Sequence, residues 1–285
     1  MEKMKFFKFN ASGNDFVFFL ASKDESESKD ASKYDFSELA KRLCDRHEGI
    51  GADGLVAIFK GSSDNHIIWR FYNLDGSEAS MCGNASRAAA LFACEQGLVD
   101  ASKTIFLHTL AGVIEANVSE QMSHPVLTAL GQNIASVPKL GSSASVNVRL
   151  SAPKKLSEPF CEDGLSWHFY DTGVPHLVAF VEDIEAAPFE LAPRLRAKYN
   201  ANVNFVCELG GELFVRTFER GVEAETLACG TGMCAAALAY RASEPIKSGV
   251  KSVIRPRSGE IIKVFLHGDA IYFEGLVNSV FSTEI

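Results

Sequence analysis

The chain has 285 residues, 47% of them hydrophobic and 22% charged, with 28 basic side chains against 36 acidic and a net charge of −8. This length exceeds what one hydrophobic core usually organises, and the composition excludes a disordered chain. The acidic balance, without a basic cluster or aromatic-basic interleaving, excludes a nucleic-acid binder and points to a small-molecule partner.

Residues 6–20 read as β-structure, and the apolar run at 16–20 within them is too short for a secretory leader. No later run approaches the roughly 18 apolar residues of a membrane span, so no membrane partner is expected and a soluble cytoplasmic protein is. The charged stretch at 22–30 lacks apolar periodicity and reads as a solvated loop. Ser37 is predicted to cap a helix with Leu39, Ala40, Leu43 and Cys44 on one face, stopped by Gly49-Ile50-Gly51-Ala52-Asp53-Gly54. Strand-like residues 67–72 lead into the turn Asn73-Leu74-Asp75-Gly76, after which Met81-Cys82-Gly83-Asn84 opens an alanine-rich helix closed by Gly97. Strands at 104–108 and 113–118 follow, and the polar stretch at 140–145 reads as the inter-lobe region.

The second half repeats the plan. Residues 167–180 are strand-rich with a turn at Gly173, and strands at 202–208 and 213–218 come next. The run Ala228-Cys229-Gly230-Thr231-Gly232 then enters a helix at 233–241, and residues 261–266 pair with 270–273 as a hairpin. The expected division is an N-terminal lobe at 1–122 carrying Cys82, a C-terminal lobe at 123–275 carrying Cys229, and a tail at 276–285 that can return to the first lobe.

Seven cysteines, an odd number in a chain without secretory marks, are expected to be free thiols, and Cys229 with Cys234 lacks the second ligand pair of a zinc site. Two of the seven stand in a repeated setting. At an offset of 229 − 82 = 147, Gly83 meets Gly230, residues 88–91 meet the identical run at 235–238, and Phe71 and Glu78 meet Phe218 and Glu225. Alanine is common in helices, so the paired Cys-Gly steps at a strand-to-helix turn carry the argument for an internal duplication.

A sulfur at the first turn of a helix faces unpaired N–H groups and a partial positive charge, which favour the thiolate. One such cysteine can accept a proton while its twin donates one. The N–H groups that follow, with Gly83 and Gly230 permitting close approach, can hold a carboxylate and the charge that builds on it when its α-carbon is deprotonated. Removal from one face and return to the other inverts that carbon. Cys44, Cys94, Cys161, Cys207 and Cys234 have no duplicated partner and read as small core residues.

With these stretches in view, the chain resembles the diaminopimelate epimerases, within the wider group that includes proline racemase-like enzymes. Besides the two cysteine motifs, the resemblance rests on Gly13-Asn14-Asp15-Phe16, the glycine-rich turn at 49–54, Phe71-Tyr72-Asn73 with Asp75-Gly76-Ser77-Glu78, Pro175-His176, Asn202-Val203-Asn204-Phe205, Glu219-Arg220-Gly221 and Glu225-Thr226-Leu227, and it covers nearly the whole chain. It implies an α+β fold of two pseudo-symmetric lobes, each a curved mixed or antiparallel sheet around a central helix, with the active site in the inter-lobe cleft. It implies epimerisation of LL-diaminopimelate to meso-diaminopimelate, a precursor of lysine and peptidoglycan, with Cys82 and Cys229 as the acid/base pair. Gly83, Asn84, Gly230 and Thr231 would bind the reacting carboxylate through backbone N–H groups. Asn14, Asn73, Asn202, Glu219 and Arg220 would bind the substrate's amino and carboxylate groups, while His176 and Glu219 would tune the thiols. No metal or pyridoxal cofactor is implied, and a homodimer is.

The chain also departs from the family pattern. Asn10-Ala11-Ser12 stands where members often have His-Gly-Leu, a change expected to matter little. Val174 stands where many carry an asparagine that binds the distal end of the substrate, and valine offers no hydrogen bond. Gly54 replaces a glutamine of some members, and residues 222–225 read one residue longer than the common spacing. Proline and hydroxyproline racemases share the two-thiol logic but resemble Met-Cys-Gly-His and Ser-Pro-Cys-Gly-Thr-Gly, where this chain has Asn84 and Leu227-Ala228. Phenazine-biosynthesis-type isomerases share the architecture without the cysteine pair. A thiol redox sensor or an amino-acid-binding module is the alternative from another class, and α-hydrogen exchange separates it from an epimerase.

Overall fold

A computed structural model describes residues 4–21, 35–122, 142–150, 152–243 and 251–285; the charged stretch at 22–30 lies outside them. The chain divides into two compact units, Met1–Val148 with Leu276–Ile285, and Arg149–Gly275.

In the first unit, β1 (Lys5–Ala11) and β2 (Asn14–Leu20) form a hairpin about Ser12 and Gly13, both with positive φ, 57° and 83°. The helix α1 (Phe36–Cys44) crosses to β3 (Gly54–Lys60), which runs parallel to β2. β4 (His66–Asn73) pairs antiparallel with β3 and folds back through the short β5 (Glu78–Ala79). After α2 (Gly83–Glu95), β6 (Ile105–Thr109) returns parallel to β4, and β7 (Gly112–Met122) and β8 (Ser143–Leu150) continue antiparallel. The end of the C-terminal strand pairs with β1 and with β8, which closes the sheet on itself. A closed sheet has no exposed edges and needs a filled interior. Helix α2 fills it: Asn84 through Ala93 are all buried, the alanines let the strands approach, and Phe92 packs on Phe9 and Phe18.

The second unit repeats the pairing. It comprises β9 (Lys154–Glu162), β10 (Leu165–Asp171), β11 (Pro175–Phe180), a 3-10 turn at Phe189–Leu191 leading into α3 (Ala192–Tyr199), β12 (Asn202–Leu209), β13 (Glu212–Glu219), β14 (Ala224–Thr226), α4 (Gly230–Ser243), β15 (Ser252–Pro256), β16 (Ile262–His267) and the start of β17 (Ala270–Glu284), whose residues from Leu276 belong to the first unit. β11 lies parallel to β12 and β13 parallel to β15, as β2 does to β3 and β4 to β6. The remaining neighbours β9–β10, β10–β11, β12–β13, β13–β14, β15–β16 and β16–β17 are antiparallel. Met233 through Ala237 on α4 are buried, as their counterparts on α2 are. The architecture is therefore the expected α+β arrangement of mixed sheet around a buried alanine-rich helix.

Several local expectations change. Asp35, not Ser37, caps α1 by accepting from the Glu38 N–H at 3.1 Å; Ser37 lies inside the helix and donates to the Gly76 carbonyl at 2.8 Å. The described part of the polar stretch at 140–145 opens β8, which pairs with β7. Helix α4 begins at Gly230 rather than at 233, directly after Cys229. Strand β9 and helix α3 were not legible: β9 is polar and exposed along most of its length, and Arg194, Arg196 and Lys198 mask the short apolar face of α3. Among the described residues no helix is long and apolar enough to cross a membrane.

Candidate active site

Cys82 and Cys229 lie in different units, and the same local device builds each into its half-site. β4 and β13 each fold back through a short strand, β5 or β14, and the chain enters a helix directly after the cysteine. The Cys82 carbonyl accepts from the Ser86 N–H at 2.8 Å, and the Cys229 carbonyl accepts from the Met233 N–H at 3.0 Å. Each cysteine is thus the residue at which extended chain becomes helix. Cys82 has φ −149° and ψ 122° and its side chain makes no capping bond, so the first N–H groups of α2 have no intrahelical acceptor and suit an incoming anion.

In the first unit a chain of side-chain bonds runs beneath the start of α2. Asn84 donates to Asn14 Oδ1 at 2.7 Å, and Asn14 donates to Asp53 Oδ2 at 3.1 Å. The Arg87 guanidinium, fully buried, donates to Asn84 Oδ1 at 2.9 Å, to Ser12 Oγ at 2.6 Å and to the Leu276 carbonyl at 3.3 Å. A charged donor fixes the orientation of the Asn84 amide, which in turn fixes that of Asn14. Ser12 holds left-handed backbone without being glycine because its hydroxyl serves a buried cation. Residue 12, expected to matter little, is therefore part of the support for the Cys82 helix.

A second layer holds Asp53. Arg46 donates to Asp53 Oδ1 at 2.8 Å and to both oxygens of Asp15 at 2.9 and 3.1 Å, while Lys8 lies 2.7 Å from Asp15. Burial alone would raise the Asp15 pKa, but Arg46 and Lys8 outweigh it and hold the carboxyl below its usual range. Asn73 ends β4 opposite Gly54 and donates to Ser77 Oγ at 3.0 Å, so its side chain belongs to the turn rather than to the Asn14–Asn84 chain. Gly54 has no room for the side chain some family members carry: a Cβ there would stand 2.4 Å from the Phe71 ring and 2.7 Å from the Tyr72 carbonyl.

The second half-site centres on His176, which is fully buried. Asn204 accepts from the Thr217 hydroxyl at 2.9 Å and donates to the Leu177 carbonyl at 2.8 Å, so its amide nitrogen is a donor where it meets His176 Nδ1 at 3.1 Å. Nδ1 then accepts, and the ring proton goes to Nε2, donated to Thr231 Oγ1 at 2.9 Å in preference to the longer 3.3 Å approach of the Asn202 amide nitrogen, which is itself a donor. The Thr231 hydroxyl keeps its own proton for the Cys229 sulfur, 3.5 Å away. Burial, with the charge of Arg220 adding to it and the Asn204 bond opposing, pushes the His176 pKa down to about 3, so the ring is neutral near pH 7. Asn202 sits 3.3 Å from Nε2 and accepts from the Arg220 N–H at 2.6 Å; Thr172 donates to the Thr231 carbonyl at 2.7 Å. Glu219 ends β13, and burial raises its carboxyl above the usual range. The Val174 side chain offers no hydrogen bond, and its carbonyl accepts from the Thr172 N–H at 3.2 Å.

The structure therefore links Asn14 with Asn84 in one half, and His176, Asn202, Arg220, Thr231 and Cys229 in the other. Sequence reasoning missed Ser12, Arg87, Asp53, Asn204 and Gly232 as functional supports. A lone arginine inside an alanine-rich buried helix was the available signal for Arg87. Gly232 is required by packing, since a Cβ there would stand 2.5 Å from Asn204 Oδ1 and 3.4 Å from the Cys229 Cβ. Gly232→Ala is expected to cost about 1–3 kcal/mol and to disturb the His176 orientation, read as a lowered urea midpoint together with reduced turnover.

Burial raises the pKa of Cys44 to about 12 and that of Cys94 to about 11, and it raises that of Cys234 as well. Cys207 is buried against the Glu182 carbonyl, and Cys161 departs from the core expectation by lying exposed on β9.

Comparison with known proteins adds to this geometry. The family model for diaminopimelate epimerase matches residues 6–134 and 168–277. The diaminopimelate epimerase of a Nitratiruptor species is 44% identical over 98% of both chains, and that of Helicobacter pylori is 37% identical over 97% of this chain and 95% of its own. Among solved structures, a phenazine biosynthesis protein of the PhzF family from Bacillus anthracis superposes with a TM-score of 0.71 at 14% identity, covering 100% of this chain and 99% of that one. A hydroxyproline epimerase from Agrobacterium vitis gives 0.66 at 14% identity, covering 99% and 92%. At such identity the structural likenesses establish the fold. On the family match and its relatives, the chain belongs to the diaminopimelate epimerase family.

Proposed function

We propose that the chain interconverts LL- and meso-diaminopimelate without a cofactor, Cys82 and Cys229 exchanging protons with opposite faces of one α-carbon. The observation that carries the reading is the duplicated placement of the two thiols, each at the residue where a strand return becomes a buried helix. In each direction one thiolate removes the α-proton and the other thiol delivers its proton to the opposite face, so the pair ends with its proton on the other sulfur. A second proton exchange with solvent resets it.

The α-proton of an amino acid is weakly acidic, so the carbanion needs donors aimed at the carboxylate on which charge builds. The backbone N–H groups of Gly83 and Asn84 from one helix, and of Gly230 and Thr231 from the other, fill that role. Asn14 is pre-oriented through Asn84 and Arg87, and Asn202 through the Arg220 N–H, which supports their assignment to substrate binding together with Asn73, Glu219 and Arg220. Neutral His176 holds the Thr231 hydroxyl so that its proton faces Cys229, stabilising that sulfur as a thiolate. Glu219, its carboxyl raised by burial, is the second group assigned to tuning the thiols. The scheme fits a reducing cytoplasm, because thiols that must ionise are open to oxidation, and a homodimer is carried over from the resemblance.

Incubation with pure LL-diaminopimelate in deuterated water is expected to yield meso product carrying deuterium at the inverted carbon, read by mass. Product without deuterium, or no conversion, would remove the two-base reading. Proline offered in the same assay separates the racemase alternative.

A further inference from the structure

Just behind the two half-sites lies a second duplicated feature. Arg70 stands three residues before the end of β4 at Asn73, and Arg216 three before the end of β13 at Glu219. Each reaches a glutamate on the return strand, four residues ahead of the cysteine. Arg70 Nε donates to Glu78 at 2.9 Å; Arg216 donates to both oxygens of Glu225, at 2.7 and 2.9 Å. The register repeats as well, at an offset of 216 − 70 = 146, one less than between the cysteines because the second return, from 219 to 225, is one residue longer than that from 73 to 78. Glu78 lies opposite Tyr72 and Glu225 opposite Phe218, and each arginine precedes that aromatic residue by two, which puts it on the same face of the sheet. Each guanidinium also lies over a ring from the element that joins the parallel strands: Phe36 of α1 at 5.5 Å from Arg70, and Phe189 of the 3-10 turn at 4.5 Å from Arg216.

An isolated exposed pair would contribute little. These pairs are shielded, with side-chain exposures of 27% and 31% in the first and 14% and 26% in the second, and each is fixed by stacking on one side. A device for stability alone could sit anywhere on either sheet. Both pairs instead occupy one topological position, between a strand end and the thiol that follows it.

We propose that Arg70 with Glu78, and Arg216 with Glu225, are positioning residues of the epimerase. Each pair clamps its return strand to the sheet so that the following cysteine enters its helix at a fixed place, and each cancels a carboxylate charge standing four residues ahead of a thiol that must ionise. The inference rests on the two-thiol reading above. The halves are not equivalent electrostatically. Glu225 also faces Arg257 at 4.0 Å, itself paired with Glu185 at 2.6 Å, while Glu78 has Arg70 and the Tyr72 ring beside it. Thr231, 3.5 Å from Cys229, is held by His176, on which the charge of Arg220 acts; on the other side, Arg87 shares the helix that follows Cys82.

Arg70→Gln is expected to lower kcat by about 10- to 100-fold with KM changed by less than about threefold, since misplacing a reacting group is felt in turnover. The pH profile of Cys82 alkylation by iodoacetamide, followed by peptide mass, should move up by about half a unit. Arg216→Gln should lower kcat similarly but move the Cys229 profile less, because Arg257 remains. The double variant Arg70→Gln with Glu78→Gln should return the alkylation profile to its original position while kcat stays low. Arg70→Lys, which keeps the charge and loses the planar fork, should show low kcat with an unmoved profile, and it decides the matter if Arg70→Gln does not fold. Unchanged kcat and alkylation in folded single variants would overturn the proposal, as would a double variant whose profile stays shifted. Alkylation reports on the thiols whatever the substrate, so a failed diaminopimelate assignment would leave this outcome readable.

Discussion

Cys82→Ala and Cys229→Ala are each expected to lower the interconversion of LL- and meso-diaminopimelate by at least about 10³-fold, because general acid and general base contributions of that order are both lost when one partner is removed. Neither variant should be inert towards hydrogen exchange. The thiolate that remains still addresses one face of the α-carbon, so it can remove that isomer's proton, exchange it with solvent and return a deuteron to the same face. In deuterated water each variant should therefore label one isomer without inverting it, and the two variants should label opposite isomers. Incubating each pure isomer with each variant, and reading deuterium and configuration separately, checks all of this. The substitution is small enough for the result to be interpretable: Cys229 is buried at 6% exposure, and alanine at the start of a helix fits the same space. If both variants label the same isomer, the thiols do not address opposite faces, and inversion at the wild-type rate in either variant would remove that cysteine from the chemistry altogether.

How much of this was legible in the chain differs between the two levels of structure. The duplicated Cys-Gly steps and the alanine-rich helices could be read because a helix buried on all sides leaves a compositional mark that does not depend on its partners. The repeated order of parallel and antiparallel neighbours, β2 with β3 and β11 with β12, could not, since pairing direction is set by long-range contacts that no local run encodes. Within the site, the motifs named residues that can present a backbone N–H or a thiol, and His176 besides; Ser12, Arg87 and Asn204, which orient other side chains, were not named for that role. Ser12 and Arg87 lie 75 positions apart in sequence and meet only through the closed sheet. Asn204 lay inside a quoted motif, yet its task, fixing which nitrogen of His176 carries the proton, depends on Thr217 across a strand pair. The same holds for Ser37, which has the chemistry of a helix cap but sits two residues too deep because Asp35 takes that place.

His176 supplies the other large expected effect, and it appears in stability before it appears in rate. The folded chain holds this ring neutral with a pKa of about 3, whereas an unfolded chain leaves it near its ordinary value of 6.5. Between those values the unfolded state binds a proton that the folded state does not, so the contribution is fully present above about pH 6.5 and is lost as pH falls towards 3. At about 1.4 kcal/mol for each unit of separation, His176 alone should remove about 2 kcal/mol of stability by pH 5. His176→Gln cannot take up that proton. It should be less stable than wild type at about pH 8, where the bonds to Thr231 and Asn204 are lost or weakened, and it should lose less stability between about pH 8 and pH 5. Urea midpoints for both chains at the two pH values measure the difference directly. Carboxylates such as Asp15, held below the usual range, add their own acid sensitivity to both chains at lower pH and cancel in the comparison. Equal losses in the two chains would mean that His176 already carries its proton when folded. In that state both ring nitrogens would be donors, Nδ1 would face the Asn204 amide nitrogen without an acceptor, and the orientation assigned to the Thr231 hydroxyl towards Cys229 would lose its basis.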